Sequence, residues 1–325
     1  MSNPQTFFRQ LQSNLRRNLK AMASPPNADM SARSSTPTQG LGDPKHDGVE
    51  HAPAADALQA AKKQLCTVKS LDIQVSKNDS VKKVPAYLHL PQNYHREASE
   101  GREKTAAILL SGAGGGLVGP SSIYLSMADK LASLNRGIPV LRMDYRFPAR
   151  NTYCVPDVLA AMDYLQNGFA VSRFVLVGWS FGGAPVFTVG GQDERVVGCA
   201  TVASQTAETD GIRQVGTKSL PLLLLHGTGD RTLSSSCSQS LYEKYHRHAR
   251  GDEGEIRLFD GDDHALSKSA GQAETLLCDF IMKCAGETVS EDEHAKVMEK
   301  PLVDDGDRVQ KMKEGGDLRG GESVE

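Results

Sequence analysis

The chain has 325 residues, 39% of them hydrophobic, with 37 basic against 40 acidic side chains and a formal charge of −3. This length and apolar content suit one large α/β domain or two small ones, and the near-neutral balance gives no electrostatic footprint for nucleic acid or an anionic membrane. The longest apolar runs, near residues 106 and 220, fall far short of the roughly 20 residues that cross a bilayer, so no membrane span is expected.

Residues 1–62 open the chain as an expected disordered leader, rich in Pro, Ser, Gly and Asn without a hydrophobic period. Within it Phe7, Leu11, Leu15, Leu19 and Met22 recur at helical spacing and predict a helix over 6–22. Arg9, Arg16, Arg17 and Lys20 fill the rest of that helix, and no acidic residue precedes Asp29. The pattern is that of a mitochondrial presequence, and its plain alternative is a basic tail on a cytoplasmic protein. Charged and polar residues interrupt the apolar runs too early for a secretory signal.

The middle of the chain, residues 65–285, alternates short apolar runs with helical patterns. "LCTVKSLDIQV" and "VPAYLHLP", joined by the turn-like "KNDS", predict an antiparallel opening pair. Strands through "AAILLSG", "IPVLRMDY", "RFVLVGW", "VVGCATVAS", "PLLLLHG" and "IRLFDG" then alternate with helices, one of them starting near Pro156 in a first-turn position. Near-continuous Val/Ile/Leu strands imply a mostly parallel sheet with helices on both faces. The segment from Ser204 to Leu220, about 17 residues, is short for an inserted lid. From Gly286 onward, 12 acidic and 6 basic residues with few aromatic or β-branched ones predict a disordered acidic tail over 286–325.

Six cysteines (Cys66, Cys154, Cys199, Cys237, Cys278, Cys284) lie far apart, with no C-x-x-C pair and no Cys/His run. They read as reduced thiols, and their spacing argues against structural zinc. The glycines at 112–116 lack a following Gly-Lys-Ser/Thr and the dinucleotide spacing, so neither metal nor cofactor is expected.

Open parallel sheets collect functional groups at the carboxyl ends of their strands. There, "GWSFG" places Ser180 between Gly178 and Gly182 in a strand–turn–helix context. A tight turn leaves no room for side chains at either glycine. A serine hydroxyl needs a base and a carboxylate that orients it. Asp230 in "HGTGDRTL" and His264 in "GDDHAL" each follow a later strand, in the order Ser, Asp, His. The developing oxyanion calls for two backbone donors, one from Phe181 and a second from "SGAGGG", with Ala113 as first choice and Gly114 as second.

Other candidates read as structural. His46 and His51 lie in the leader, His294 in the tail, and His246 and His248 on a basic helix end, while His89 and His226 read as core histidines. Asp262 and Asp263 stand too near His264 to orient it and suit caps for the last helix. Asp144 and Arg146 suit a structural pair. Trp179 and Phe181 divide evenly between an acyl pocket and the core.

The pieces "SGAGGG", "RMDYRF", "VGWSFGG", "HGTGDRTL" and "GDDHAL" together resemble the α/β-hydrolase superfamily, most nearly its dienelactone-hydrolase-like and prolyl-oligopeptidase-like branch, over residues 65–285. Two departures stand out: Ser111-Gly112 replaces the His-Gly that many members carry, and Ser180 stands where dienelactone hydrolases use cysteine. The resemblance implies a serine hydrolase acting on a small-molecule carboxylic ester through an acyl-enzyme. The alternatives are a non-catalytic hydrolase-like interaction subunit, or a peptidase of the same fold. The sequence names no protein partner.

Overall fold

Along β3 (Lys104–Leu110) the side chains of Ala107 and Leu109 enter one apolar cluster, and those of Ala106, Ile108 and Leu110 enter another. The same split divides Val175 and Val177 from Phe174 and Leu176 on β5 (Val171–Trp179), and Leu223 and Leu225 from Leu222 and Leu224 on β7 (Leu222–Gly227). Successive strand residues point to opposite faces, so a run without polar interruptions is a strand buried on both sides.

The computed structural model describes residues 46, 48–58, 66–77, 80–92, 94, 95 and 103–319. The other strands are β1 (Thr67–Lys77), β2 (Ser80–Leu90), β4 (Val140–Met143), β6 (Val196–Val202) and β8 (Gly254–Phe259). They form one eight-stranded sheet of order β1-β2-β4-β3-β5-β6-β7-β8. β1 and β2 pair antiparallel, as expected, β2 runs antiparallel to β4, and the remaining pairs are parallel. The helices are α1 (Ile123–Ser133), α2 (Asn151–Phe169), α3 (Gly183–Gln192), α4 (Ile212–Thr217), α5 (Ser236–His246), α6 (Ala270–Ala285) and α7 (Arg308–Glu314). α1 and α6 pack into one cluster, and α2 to α5 into the other, so both faces are covered. No helix among the described residues is long and apolar enough to cross a membrane.

Four expectations change. The segment from Gly286, expected to be disordered, is packed through Arg319: helical turns form at Glu291–Glu293 and His294–Met298, and Val297, Met298, Leu302, Val303 and Met312 are buried. These side chains are spread over a short helical turn, a connecting stretch and the brief helix α7, so together they show no sustained helical or strand period. The leader is likewise ordered where it is described, with Val49, Ala52, Ala55 and Leu58 buried and the Ala54 amide donating to the Leu302 carbonyl at 3.0 Å. The 6–22 helix falls outside the described residues. α2 begins at Asn151, which puts Pro156 inside the helix rather than in its first turn. Asp144 and Arg146 part company as well: Arg146 pairs with Asp157, and Asp144 pairs with Arg319 at 2.5 Å.

Candidate active site

β5 ends at Trp179 and α3 begins at Gly183, so the chain turns within the three residues Ser180–Gly182. Ser180 takes φ of 53°, in the left-handed region, where a non-glycine residue costs about 1–3 kcal/mol and persists only when its surroundings impose it. The glycines answer a steric demand. A Cβ at Gly178 would lie 2.4 Å from the Gly182 carbonyl oxygen, and one at Gly182 would lie 2.7 Å from the carbonyl oxygens of both Leu110 and Ser111. Trp179 and Phe181 are buried in opposite clusters, which decides for core packing.

Asp230 and His264 come together. The loop after β7 carries the carboxylate and the loop after β8 carries the ring, and His264 Nδ1 lies 2.7 Å from Asp230 Oδ2. Asp230 Oδ1 accepts the amides of Thr232 and Leu233, each at 2.8 Å, which fixes the carboxylate plane. A second ring shares the same oxygen, because His226 Nε2 lies 3.1 Å from Oδ2 and 3.0 Å from the Leu233 carbonyl. Facing two acceptors, Nε2 of His226 holds that ring's proton, and Nδ1 is left to accept from Ser238 Oγ at 2.7 Å. Burial alone would push the Asp230 carboxyl up. The hydrogen bonds from His226 and His264 outweigh burial and hold it well below the usual carboxylate range. An ionised Asp230 keeps the His264 proton on Nδ1 and makes Nε2 the basic nitrogen.

His264 is tied to the elbow through Trp179, whose Nε1–H donates to the His264 carbonyl at 3.0 Å and whose ring centroid lies 5.5 Å from the imidazole. Asp262 and Asp263 direct their carboxylates to backbone amides. Asp262 accepts the amides of Asp263, Lys268 and Ser269, and Asp263 accepts those of Ala265 and Ser267. These bonds shape the loop before α6 rather than cap its first turn.

Ser111 to Gly116 begins against Gly182, as the close approach of the Ser111 carbonyl shows. The Gly115 amide donates to the Gly112 carbonyl at 3.0 Å, which places Ala113 and Gly114 at the tip of a tight turn. The C-terminal segment covers this loop, a feature no motif signalled. Asp317, fully buried, takes the amides of Leu117 (3.2 Å), Val118 (3.1 Å) and Gly119 (2.8 Å), and Ser111 Oγ donates to it too. Gly116, at φ of 108°, has room for no side chain because Asp317 Cγ lies 2.4 Å from where a Cβ would stand. Such a ring of amides around a carboxylate is a strong anion-holding arrangement.

No known protein family matches the sequence, and no curated protein is similar to it. Solved structures are similar in fold. Est1E from Butyrivibrio proteoclasticus aligns with a TM-score of 0.50 at 15% identity, over 67% of this chain and 99% of that one. ATU1826 from Agrobacterium tumefaciens, described as a putative α/β-hydrolase, aligns with a TM-score of 0.53 at 16% identity, over 69% of this chain and all (100%) of its own. An acylaminoacyl peptidase from Pyrococcus horikoshii aligns with a TM-score of 0.54 at 14% identity, over 74% of this chain and 46% of the peptidase. The chain has the α/β-hydrolase fold.

Proposed function

We propose that the chain is a serine hydrolase that cleaves small carboxylic esters through an acyl-enzyme. The observation that carries this reading is the 2.7 Å contact between Asp230 and His264 at the strand ends, with the His264 carbonyl bonded to Trp179, the residue before a serine held in a left-handed turn. In this reading His264 Nε2 takes the Ser180 proton as the hydroxyl oxygen bonds to the ester carbonyl carbon. The carbonyl electron pair moves to oxygen, where the Phe181 amide and one from Ala113 or Gly114 stabilise it. Collapse expels the alcohol with the proton returned by His264, and water repeats the sequence to release the acid. Asp230 stays ionised throughout and fixes the tautomer. The short Ser204–Leu220 segment supports access for small esters.

Labelling with a fluorophosphonate probe tests the reading. Wild-type protein is expected to react and Ser180→Ala to be inert, whereas an unreactive, folded wild type would favour the non-catalytic subunit. Amide cleavage is the second reading, favoured by the likeness in fold to a peptidase. Comparing a peptide library with short-chain p-nitrophenyl esters separates the two.

A further inference from the structure

Among the described residues, four metal-ligating side chains from four separate segments meet away from Ser180. His51 lies in the ordered part of the leader, Cys66 directly precedes β1, His89 lies on β2, and Asp129 lies on α1. Their ligand atoms all fall within 4.8 Å of one another. Asp129 Oδ1 stands 2.8 Å from His51 Nδ1, 3.1 Å from His89 Nδ1 and 3.4 Å from Cys66 Sγ, and Cys66 Sγ is 3.7 Å from His89 Nδ1.

We propose that His51, Cys66, His89 and Asp129 form a structural zinc site. Zinc bonds of about 2.0–2.2 Å to nitrogen and oxygen and about 2.3 Å to sulfur put tetrahedral ligands about 3.2–3.7 Å apart. Four of the six ligand pairs stand 2.8 to 3.7 Å apart, a span that brackets that range, and all lie within 4.8 Å. Two imidazoles, one thiolate and one carboxylate make a closed four-ligand set with no position left for substrate, which suits a structural ion rather than a catalytic one.

The proton inventory favours an ion. Arg142 aims Nε (3.1 Å) and Nη2 (3.0 Å) at His89 Nε2, and two donors facing that nitrogen place the ring proton of the metal-free chain on Nδ1. His89 N–H and Cys66 S–H then both point at Asp129 Oδ1, with His51 Nδ1 at the same oxygen, although one carboxylate oxygen offers two lone pairs. An ion removes the crowding, since each of the four atoms then gives it a lone pair.

Arg142 also orients His89. A metal-bound imidazole commonly donates its second N–H to an acceptor. Here that nitrogen instead faces the Arg142 guanidinium, which leaves Nδ1 as the ring atom turned toward the cluster. Cys66 binds as the thiolate. Asp129 Oδ2 accepts the Ala52 amide at 2.7 Å, which turns Oδ1 toward the cluster. His51, whose side chain is 36% exposed, marks the side from which an ion enters.

The site would fasten the ordered part of the leader and the opening hairpin to α1, and it stands whether or not Ser180 is a nucleophile. Full-length protein produced with zinc, purified without chelator and measured by elemental analysis is expected to carry about one zinc per chain. Exchange for cobalt should give a thiolate-to-cobalt charge-transfer band and tetrahedral d–d bands, measurements that need no variant. Cys66→Ser should abolish the charge-transfer band, and His51→Ala, at the exposed corner, should lower zinc content to below about a tenth of an ion per chain. A chelator should lower the melting temperature of wild type but not of His51→Ala. Wild type that takes up neither metal, or zinc fully retained in both variants, would overturn the site and leave a hydrogen-bonded hub around Asp129.

Discussion

Asp230→Asn strikes the arrangement where it is narrowest. The carboxylate uses all its acceptor positions, Oδ1 on the Thr232 and Leu233 amides and Oδ2 on His226 and His264. An asparagine has one oxygen. If it stays on the two amides, its NH2 group faces both rings, and His264 must move its proton to Nε2, which bars the transfer from Ser180 in the proposed mechanism. If it turns about, two buried amides lose their acceptor. Loss of tautomer control costs about 10⁴-fold in kcat in the serine-protease triad, so a fall of about 10³–10⁴-fold is expected here, or about 4–5.5 kcal/mol of transition-state stabilisation. Hydrogen bonds to charged groups are worth about 1.5–3 kcal/mol each, so the variant should also unfold at lower denaturant. Acid stability supplies a further readout with a definite sign. The folded carboxyl is held below its unfolded value of about 3.9, so its contribution is present above that pH and is lost as pH falls toward the folded value. The acid limb of the stability curve should flatten in the variant. The assay is kcat and KM on short-chain p-nitrophenyl esters, with urea melts from pH 3 to 7 on the same preparations. A variant that keeps kcat within tenfold of wild type, with KM and fold intact, would refute the proposed role of Asp230.

Three further outcomes follow from the surroundings. Burial pushes the Asp317 carboxyl up to about 7 despite hydrogen bonds from Ser111, Val118 and Gly119, with Asp144 adding to the rise; because the folded value exceeds the unfolded one, tail docking should be firmest at acid pH and weaken as pH rises through 7. Hydrogen exchange of the Leu117–Gly119 amides, corrected for intrinsic rate, should show this, and Asp317→Asn should erase it; stronger protection at pH 8 than at 5.5 would contradict the sign. Trp179→Phe removes the 3.0 Å donor to the His264 carbonyl and should cost about 1–3 kcal/mol of stability, with a several-fold drop in kcat at constant KM; an unchanged kcat would show that this bond does not hold the base. Gly182→Ala drives a methyl into the Leu110 and Ser111 carbonyls and should lower stability by about 1–3 kcal/mol in thermal melts, whereas an unshifted midpoint would mean that the elbow relaxes freely.

What the sequence made legible follows from where information is local. Strands buried on both faces announce themselves as unbroken apolar runs, and Ser180 and Asp230 stand out because each closely follows such a run, whereas His264 follows the mixed edge strand β8. His226 was readable only as a core residue, since nothing in "HGTGD" says that its ring reaches the same oxygen as His264. Asp317 carried no signal, because its donors lie about two hundred positions upstream and its own neighbourhood is charged and aperiodic. The same distance along the chain hides the cluster around Asp129. Cys66 has no ligand near it in sequence, yet the β1–β2 pairing and the packing of α1 bring His89 and Asp129 to it.

The dependence of the loop at 111–119 on a carboxylate 198 positions after Gly119 sets a timetable for biosynthesis. At about 5–20 residues per second the ribosome needs about 10–40 s to pass from one to the other. Through that interval the amides of Leu117, Val118 and Gly119 have only water in place of the carboxylate, and the neighbourhood of Ser180 takes its final form only once the strand of messenger encoding Asp317 has been read.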